Sequence, residues 1–206
     1  MLYLANPCGP LVVAAMREGH LGYIDTPAQG NKRPDGVLWC ADNGCYSDRW
    51  DEAKWWRFLQ NNAHDAATCL FAVAPDVVGD AWRTGIKSLP WIEPIRNLGY
   101  RVAWVAQNGQ ENQPLPWLGI DALFIGGTTD WKLGPHARAL VAEAKARGKW
   151  VHGGRVNSEK RYRYMHEIGC DSVDGTFLTF GPDILLPRLL AWSRVKDQLP
   201  LFGGAA

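Results

Sequence analysis

The sequence predicts an α/β fold: a compact, trimmed (β/α) barrel of the TIM type with about seven βα units. Three observations predict it. Short apolar runs alternate with amphipathic stretches at roughly 25–35-residue spacing, the rhythm of right-handed βαβ units and a parallel sheet. The strand bodies, such as Leu70-Phe71-Ala72-Val73 and Ala122-Leu123-Phe124-Ile125, are nearly all apolar, as strands covered on both faces are. Polar residues collect instead just past the strand ends, at Asp42, Asp76, Gln107, Gly126-Gly127, Arg155 and Asp174. A full eight-unit barrel takes about 250 residues, so a chain of 206 leaves one unit short or missing. A doubly wound open sheet is the alternative, but no GxGxxG follows the first strand.

The elements follow in order. Residues 2–5 form the first strand, stopped by Asn6-Pro7, with a helix over 11–18. Residues 19–35 read as a long polar connection rich in Gly and Pro, a candidate lid or binding loop. Residues 37–41 form the second strand, ending in Asp42-Asn43-Gly44, and a helix spans 51–61. The third strand, 69–74, ends in Pro75-Asp76 and leads to a helix over 80–88. The fourth, 101–106, ends in Gln107-Asn108-Gly109, and the fifth, 122–125, ends in Gly126-Gly127. A helix over 135–146 leads to the sixth strand, 150–152, ending in Gly153-Gly154-Arg155. A helix over 158–167 leads to the seventh, around 172–173, and a helix over 184–195 follows. Asp80 and Asp130 read as helix N-caps. Residues 1–200 are expected to form one domain, with 201–206 a flexible tail.

Composition narrows the class. A hydrophobic content of 47% and a charged content of 21% fit a soluble globular chain. The net charge of +1 gives no global nucleic-acid signature. Between Lys132 and Lys196, however, twelve Lys and Arg stand against six Asp and Glu, a basic third that could track phosphates. The eleven Trp are either core or stacking platforms. Five cysteines without a CxxC pair, no leader-like start and no run of membrane-spanning length suggest a reduced, cytoplasmic setting. Cys40 and Cys45 lack a nearby His or Cys to complete a zinc site, so no metal is expected.

In a barrel the strand ends converge on one mouth, where active sites are built. Two carboxylates flanking a glycosidic bond can divide its chemistry: one attacks or stabilises the anomeric carbon, the other trades a proton with the leaving or entering group. Asp76 and Gln107 offer acceptors and donors to a planar amide-like edge. Gly126-Gly127 lets backbone N–H groups approach a ring carbonyl. His152 can serve as a base or be packed. Asp171 and Asp174 are three apart on one strand, so they face opposite ways and only one looks into the mouth. Barrel geometry favours Asp174, nearer the strand's C-terminal end, and leaves Asp171 structural.

Asp42-Asn43-Gly44-Cys45-Tyr46-Ser47, Val105-Ala106-Gln107-Asn108-Gly109, Phe124-Ile125-Gly126-Gly127 and Gly169-Cys170-Asp171-Ser172-Val173-Asp174 resemble, in order, motifs of the tRNA-guanine transglycosylases. The likeness spans roughly residues 37–180. Those enzymes carry a C-terminal zinc subdomain with a Cys-x-Cys-x-x-Cys…His pattern that is absent here, and a Thr-Arg where this chain has Gly175-Thr176-Phe177. The stretches Ala74-Pro75-Asp76-Val77-Val78-Gly79-Asp80 and Val151-His152-Gly153-Gly154-Arg155-Val156-Asn157-Ser158 look closer to the compact phage and bacterial deazapurine-in-DNA transglycosylases.

The resemblance implies a glycosyltransferase that replaces guanine in DNA by a 7-deazaguanine through a covalent Asp174–C1′ intermediate. Asp42 is the general acid/base, and Asp76, Gln107, Gly126, Gly127, Asn43 and Tyr46 bind the base. Arg155, Lys160, Arg161 and Arg163 are candidates for phosphate contacts, and Trp131, Trp39 or Tyr46 for stacking on a flipped or unpaired nucleotide. It calls for no cofactor, for DNA and a free 7-deazaguanine as partners, with room for a helicase- or ATPase-type partner, and for a cytoplasmic setting (the host's, if phage-encoded). A DNA N-glycosylase, a tRNA-type enzyme and an inactive nucleic-acid-binding module are the rival readings.

Overall fold

The computed structural model of the chain describes residues 1–47 and 50–194. Eight parallel strands close into a barrel in sequence order. They are β1 (Leu2–Ala5), β2 (Leu21–Asp25), β3 (Trp39–Ala41), β4 (Cys69–Val73), β5 (Val102–Ala106), β6 (Ala122–Ile125), β7 (Trp150–Gly153) and β8 (Ser172–Asp174). Closure comes from β1 against β8, with Leu2 opposite Ser172 and Leu4 opposite Asp174. The helices are α1 (Pro10–Arg17), α2 (Glu52–Asn61), α3 (Ala81–Ser88), α4 (Ile92–Asn97), α5 (Thr129–Lys132), α6 (Pro135–Ala146), α7 (Glu159–Ile168) and α8 (Pro182–Arg194).

Strand alternation sorts the core into two layers. Leu4, Ile24, Cys40, Phe71, Val73 and Val105 point into the barrel and pack with Phe124 and Trp150. Their neighbours Tyr3, Tyr23, Trp39, Ala72, Trp104, Leu123, Val151 and Val173 face outward into a larger cluster shared with the helices. Helix starts are set by side-chain caps: Asp51, Asp80 and Ser158 accept N–H bonds from Lys54, Arg83 and Arg161 at the heads of α2, α3 and α7. At α5 the cap is Thr128, and Asp130 sits inside the first turn rather than capping it.

The barrel has eight strands where seven units are expected. The extra strand, β2, lies inside the stretch 19–35 that reads as polar loop. Its five residues are all buried, but Gly22 and the flanking His20 and Thr26-Pro27 interrupt the apolar signal. The chain is trimmed differently: no helix joins β2 to β3, and residues 26–38 cross the outside of the sheet as irregular loop.

Arg33 anchors that loop. Its guanidinium lies 3.6 Å from the centre of the Trp39 ring and pairs with Asp65 at 2.5 Å and Asp25 at 3.4 Å. The side chains of Arg33 and Asp25 are each only 12% exposed, so the ion pair is a buried one. Burial pushes the Asp25 carboxyl up to about 6 even with Arg33 beside it.

Most tryptophans pack. Trp39, Trp55 and Trp104 are fully buried, and Trp50, Trp55, Trp56 and Trp91 form a cluster outside the barrel with ring centres 4.9–6.5 Å apart. Trp39 points outward and gives its indole N–H to Thr68, so it cannot stack on a ligand in the mouth. Among the described residues, no helix is long and apolar enough to cross a membrane. The stretch 201–206 and the last position of the helix expected over 184–195 lie outside the described residues.

Replacing Arg33 with Met keeps the stem and removes the charge, leaving Asp25 buried without its partner. Arg33→Met is expected to lower unfolding free energy by about 3 kcal/mol. Urea denaturation at neutral pH checks this; an unchanged midpoint would show that the loop is held by other contacts.

Candidate active site

At the C-terminal mouth the residues that follow the strands surround a cavity of about 430 Å³. Its floor is the apolar lumen layer of Ile24, Val73, Val105 and Phe124, and its polar wall includes Asp42, Asn43, Asp76, Gln107, Arg155 and Asp174. Gly126, Gly127, Tyr46, Asn157 and Thr176 complete the lining. The reason is the strand period of two. Cys40 and Ser172 point inward, so Asp42 and Asp174, two residues on, do so one layer higher. Val105 and Phe124 place Gln107 and Gly126 in the same way.

Asp174 is held on both oxygens. Oδ2 lies 2.9 Å from His152 Nε2, and Oδ1 accepts the Arg155 backbone N–H at 2.8 Å. Arg155 is the non-glycine residue with positive φ among the described residues, at 60°. That left-handed turn aims its N–H at the carboxylate and lets Val156 N–H reach the Asp174 carbonyl at 2.6 Å. The turn is secured from below by Lys132, a buried lysine whose amine donates to the Gly154 carbonyl, and from above by the Arg155 guanidinium, which donates to the Gly127 carbonyl. Burial pushes the Lys132 amine down to about 8, and the Arg155 charge adds to that. The residue after Asp174 must be glycine, because a Cβ at Gly175 would stand 2.6 Å from the Val156 carbonyl oxygen.

The two facing carboxylates are pushed apart in acidity. Burial alone would raise Asp174, but the His152 hydrogen bond, the Arg155 N–H and the Lys132 charge outweigh it and hold the carboxyl below the ordinary range. Asp42 is met only by backbone donors, the Gly44 N–H at 3.1 Å and the Asn43 N–H. Burial and the neighbouring Asp174 charge push it up to about 7. One carboxylate is thus ionised and the other protonated over the same pH range, the division of labour of paired acid/base sites.

The remaining expected residues divide into available groups and spent ones. Asp76 Oδ1 accepts from Asn43 at 2.7 Å and Oδ2 from Gln107 at 2.6 Å, and its own backbone N–H also bonds the carboxylate, which leaves part of its acceptor capacity unused. Asn43 is fully engaged: its amide also donates to the Ala74 carbonyl, and its oxygen accepts from Cys45. Gln107 Oε1 accepts from both Gly79 and Gly127 N–H at 2.8 Å. The Gly126 N–H is bonded to the Ala106 carbonyl. The two glycine amides expected to read a ring carbonyl therefore already have acceptors. Glycine is required at 126 by packing instead, since a Cβ there would meet Val105 at 2.7 Å and Gln107 at 2.8 Å.

Tyr46 is exposed at the rim with the Arg155 guanidinium 4.6 Å from its ring centre. Trp131 is also at the rim and gives its indole N–H to Glu111. Lys160, Arg161 and Arg163 lie on α7, outside the cavity lining, and Arg163 is paired with Glu159 on its own helix. Asp171 points away from the mouth, bridging Lys145 at 2.6 Å and Val151 N–H at 2.8 Å. Two participants are missed by the sequence reading: Lys132, which no local pattern marks, and Ser172, which looks like an ordinary strand residue. His152 is visible there only as an ambiguous base. Among the described residues, no group of three or more His, Cys, Asp and Glu side chains is placed to hold a metal ion.

No family model matches the chain, and no curated protein matches it. Solved structures similar to it include PaMucR phosphodiesterase in complex with c-di-GMP, at 16% identity over 68% of this chain and 60% of that one, TM-score 0.41. The EAL enzyme Bd1971, bound to cAMP and cyclic-di-GMP, matches at 14% identity over 76% of this chain and 43% of that one, TM-score 0.40. The S helix-GGDEF-EAL portion of Vibrio cholerae LapD matches at 12% over 82% and 39%, TM-score 0.42. The chain thus spans less than two thirds of each of these proteins.

These neighbours correct the functional expectation. Their titles name a phosphodiesterase and EAL proteins, not an enzyme that replaces guanine in DNA by a 7-deazaguanine, nor its DNA N-glycosylase and tRNA-type variants. At such identities the neighbours transfer no activity of their own.

The raised Asp42 gives the protein a pH signature. The folded state keeps the proton up to about 7, whereas the unfolded chain releases it near about 4. The folded state therefore binds more protons between those values, and stability falls as pH rises through them. Asp42→Asn is expected to flatten that fall by on the order of 3 kcal/mol. Part of the slope persists, because burial also raises Asp25 and Asp76. Urea midpoints from pH 4 to 8 read it; parallel curves for both proteins would show that Asp42 titrates normally.

Proposed function

We propose that the barrel is a glycosyltransferase of the pentosyltransferase kind, acting on a small N-glycoside with a planar, nucleobase-like aglycone. The observation that carries this reading is the pair of carboxylates on one cavity, Asp174 held ionised and Asp42 held protonated. The order of motifs resembling the tRNA-guanine transglycosylases supports the same assignment of nucleophile and acid. The cavity volume suits a ligand of nucleoside size. A DNA guanine is not part of the proposal.

In the first step an Asp174 oxygen attacks the anomeric carbon, and the bond to the aglycone nitrogen breaks. The electron pair leaves with the nitrogen, which takes the Asp42 proton. An ester joins Asp174 to the sugar, and Asp42 is now a carboxylate. In the second step Asp42 removes a proton from the acceptor as that acceptor attacks the anomeric carbon, and the ester bond breaks to restore both carboxyl groups. Asp76 holds N–H donors on the aglycone edge through its free lone pairs, and the apolar floor of Phe124 and Val105 excludes water beneath the ring. Tyr46 and Arg155 form the rim over it.

Incubation with nucleosides carrying a 2-fluoro sugar, which slows release of such esters, followed by intact-mass spectrometry tests the step. A mass increase equal to the sugar is expected, mapped to Asp174 by peptide sequencing and absent in Asp174→Asn. Asp42→Asn is expected to slow labelling at least 100-fold for aglycones that need protonation, and far less for a nitrophenyl-type leaving group. Because Asp42 acts protonated, labelling should decline above about pH 7 in the wild type. Labelling that persists in Asp174→Asn would remove it as nucleophile.

A further inference from the structure

Behind Asp174 lies a file of polar groups inside the barrel that the proposed chemistry does not use. His152 and Ser172 are both fully buried. Trp150 Nε1 lies 2.8 Å from Ser172 Oγ, Ser172 Oγ lies 2.8 Å from His152 Nδ1, and His152 Nε2 lies 2.9 Å from Asp174 Oδ2. The file therefore crosses three times between β7 and β8 and ends on the carboxylate.

We propose that His152 is a positioning residue for Asp174, locked by Trp150 and Ser172 as a neutral ring whose Nε2–H permanently donates to the carboxylate. The proposal rests on the preceding reading only for its effect on rate. The direction of the file follows from the inventory of donors. An indole nitrogen can only donate, so Ser172 Oγ accepts from Trp150. The serine hydroxyl must then place its own hydrogen, and the acceptor within reach is His152 Nδ1. An imidazole that accepts at Nδ1 carries its hydrogen at Nε2, the atom facing Asp174. Reversing the tautomer would take from the Ser172 hydroxyl hydrogen its acceptor at Nδ1 and set the lone pairs of His152 Nε2 and Asp174 Oδ2 against each other, a buried loss.

Packing fixes the ring as firmly as bonding does. Phe71 and Phe124 flank it with ring centres at 5.3 and 4.5 Å. Asp174 is then gripped in its own plane, His152 on one oxygen and Arg155 N–H on the other, so the carboxylate cannot rotate away from an anomeric carbon in the cavity. Preorganisation of this kind lets an acceptor meet its electrophile without first reorienting. The charged and titratable groups that face Asp174 are His152, Arg155, Lys132, Asp42, Tyr3 and Cys40. Of these, His152 alone has a side chain bonded to it.

Nitrogen-15 NMR of the histidine-labelled protein, with His152 identified by its loss in His152→Gln, reads the tautomer directly. A neutral Nε2–H ring at neutral pH is expected, with an appearance of the Nδ1–H form in Ser172→Ala. An Nδ1–H or doubly protonated ring in the wild type overturns the proposal, as does an unchanged ring in Ser172→Ala.

Carbon-13 carboxyl titration gives the second readout. His152→Phe, which keeps the ring packing, should raise the Asp174 midpoint by about 1 unit or more, whereas His152→Gln, which keeps a donor at the same reach, should hold it near the wild type. Equal midpoints in all three proteins overturn the proposal. Sugar labelling of Asp174 should fall at least 30-fold in His152→Phe and recover to within tenfold in His152→Gln. If the tautomer and midpoints behave as expected and no N-glycoside labels the wild type, the proposed function fails while the positioning role stands.

Discussion

The mouth of this barrel is organised by a single carboxylate that is not allowed to move or to accept a proton easily. Asp174 stands at the top of the last strand, and three separate pieces of chain converge to hold it. β7 supplies His152, the left-handed turn after β7 supplies the Arg155 N–H, and α5 supplies Lys132 beneath that turn. The contacts are buried or part-buried, so each is stronger than its counterpart in water and costly to leave unmade. The strained φ of Arg155 and the buried charge of Lys132 both act against stability, and both make sense as parts of the grip on Asp174.

Asp42 is treated in the opposite way. It sits on the same cavity with only backbone donors and an unfavourable neighbouring charge, so the site leaves it protonated. The contrast is produced by environment alone, since both residues are aspartates carried on inward-facing strand ends. Around them the barrel spends most of its remaining polar groups on itself. Asn43, Gln107 and the Gly126 and Gly127 amides knit the strand ends together, and Asp76 is left with unused acceptor capacity. Among the described residues the mouth therefore presents acceptors and the Arg155 guanidinium rather than the row of backbone donors its glycines suggest.

Much of this was legible in the sequence, for physical reasons that differ by element. β1, β6 and α6 are predicted to the residue because a doubly covered strand is continuously apolar and α6 is bounded by Gly134-Pro135 and Gly148. The convergence of Asp42, Asp76, Gln107, Gly126, Gly127, Arg155 and Asp174 follows from topology, since all parallel barrel strands end at one mouth. β2 was hidden because a short strand beside a helix-free connection lacks the usual punctuation. What remained invisible depends on contacts between distant residues. The acceptors taken up by Gly126 and Gly127, the outward turn of Trp39 and the file from Trp150 through Ser172 to His152 join positions that only the closed barrel brings together.

The central claim is that one cavity holds two aspartates in opposite protonation states. Carboxyl carbon-13 titration of the unliganded protein, with Asp42 and Asp174 identified by their Asn variants, measures it without reference to any substrate. The account predicts that Asp42 remains protonated up to about pH 7 and that Asp174 stays ionised to below the ordinary aspartate midpoint of about 4. Two midpoints near the ordinary value, or a protonated Asp174 facing an ionised Asp42, would contradict it.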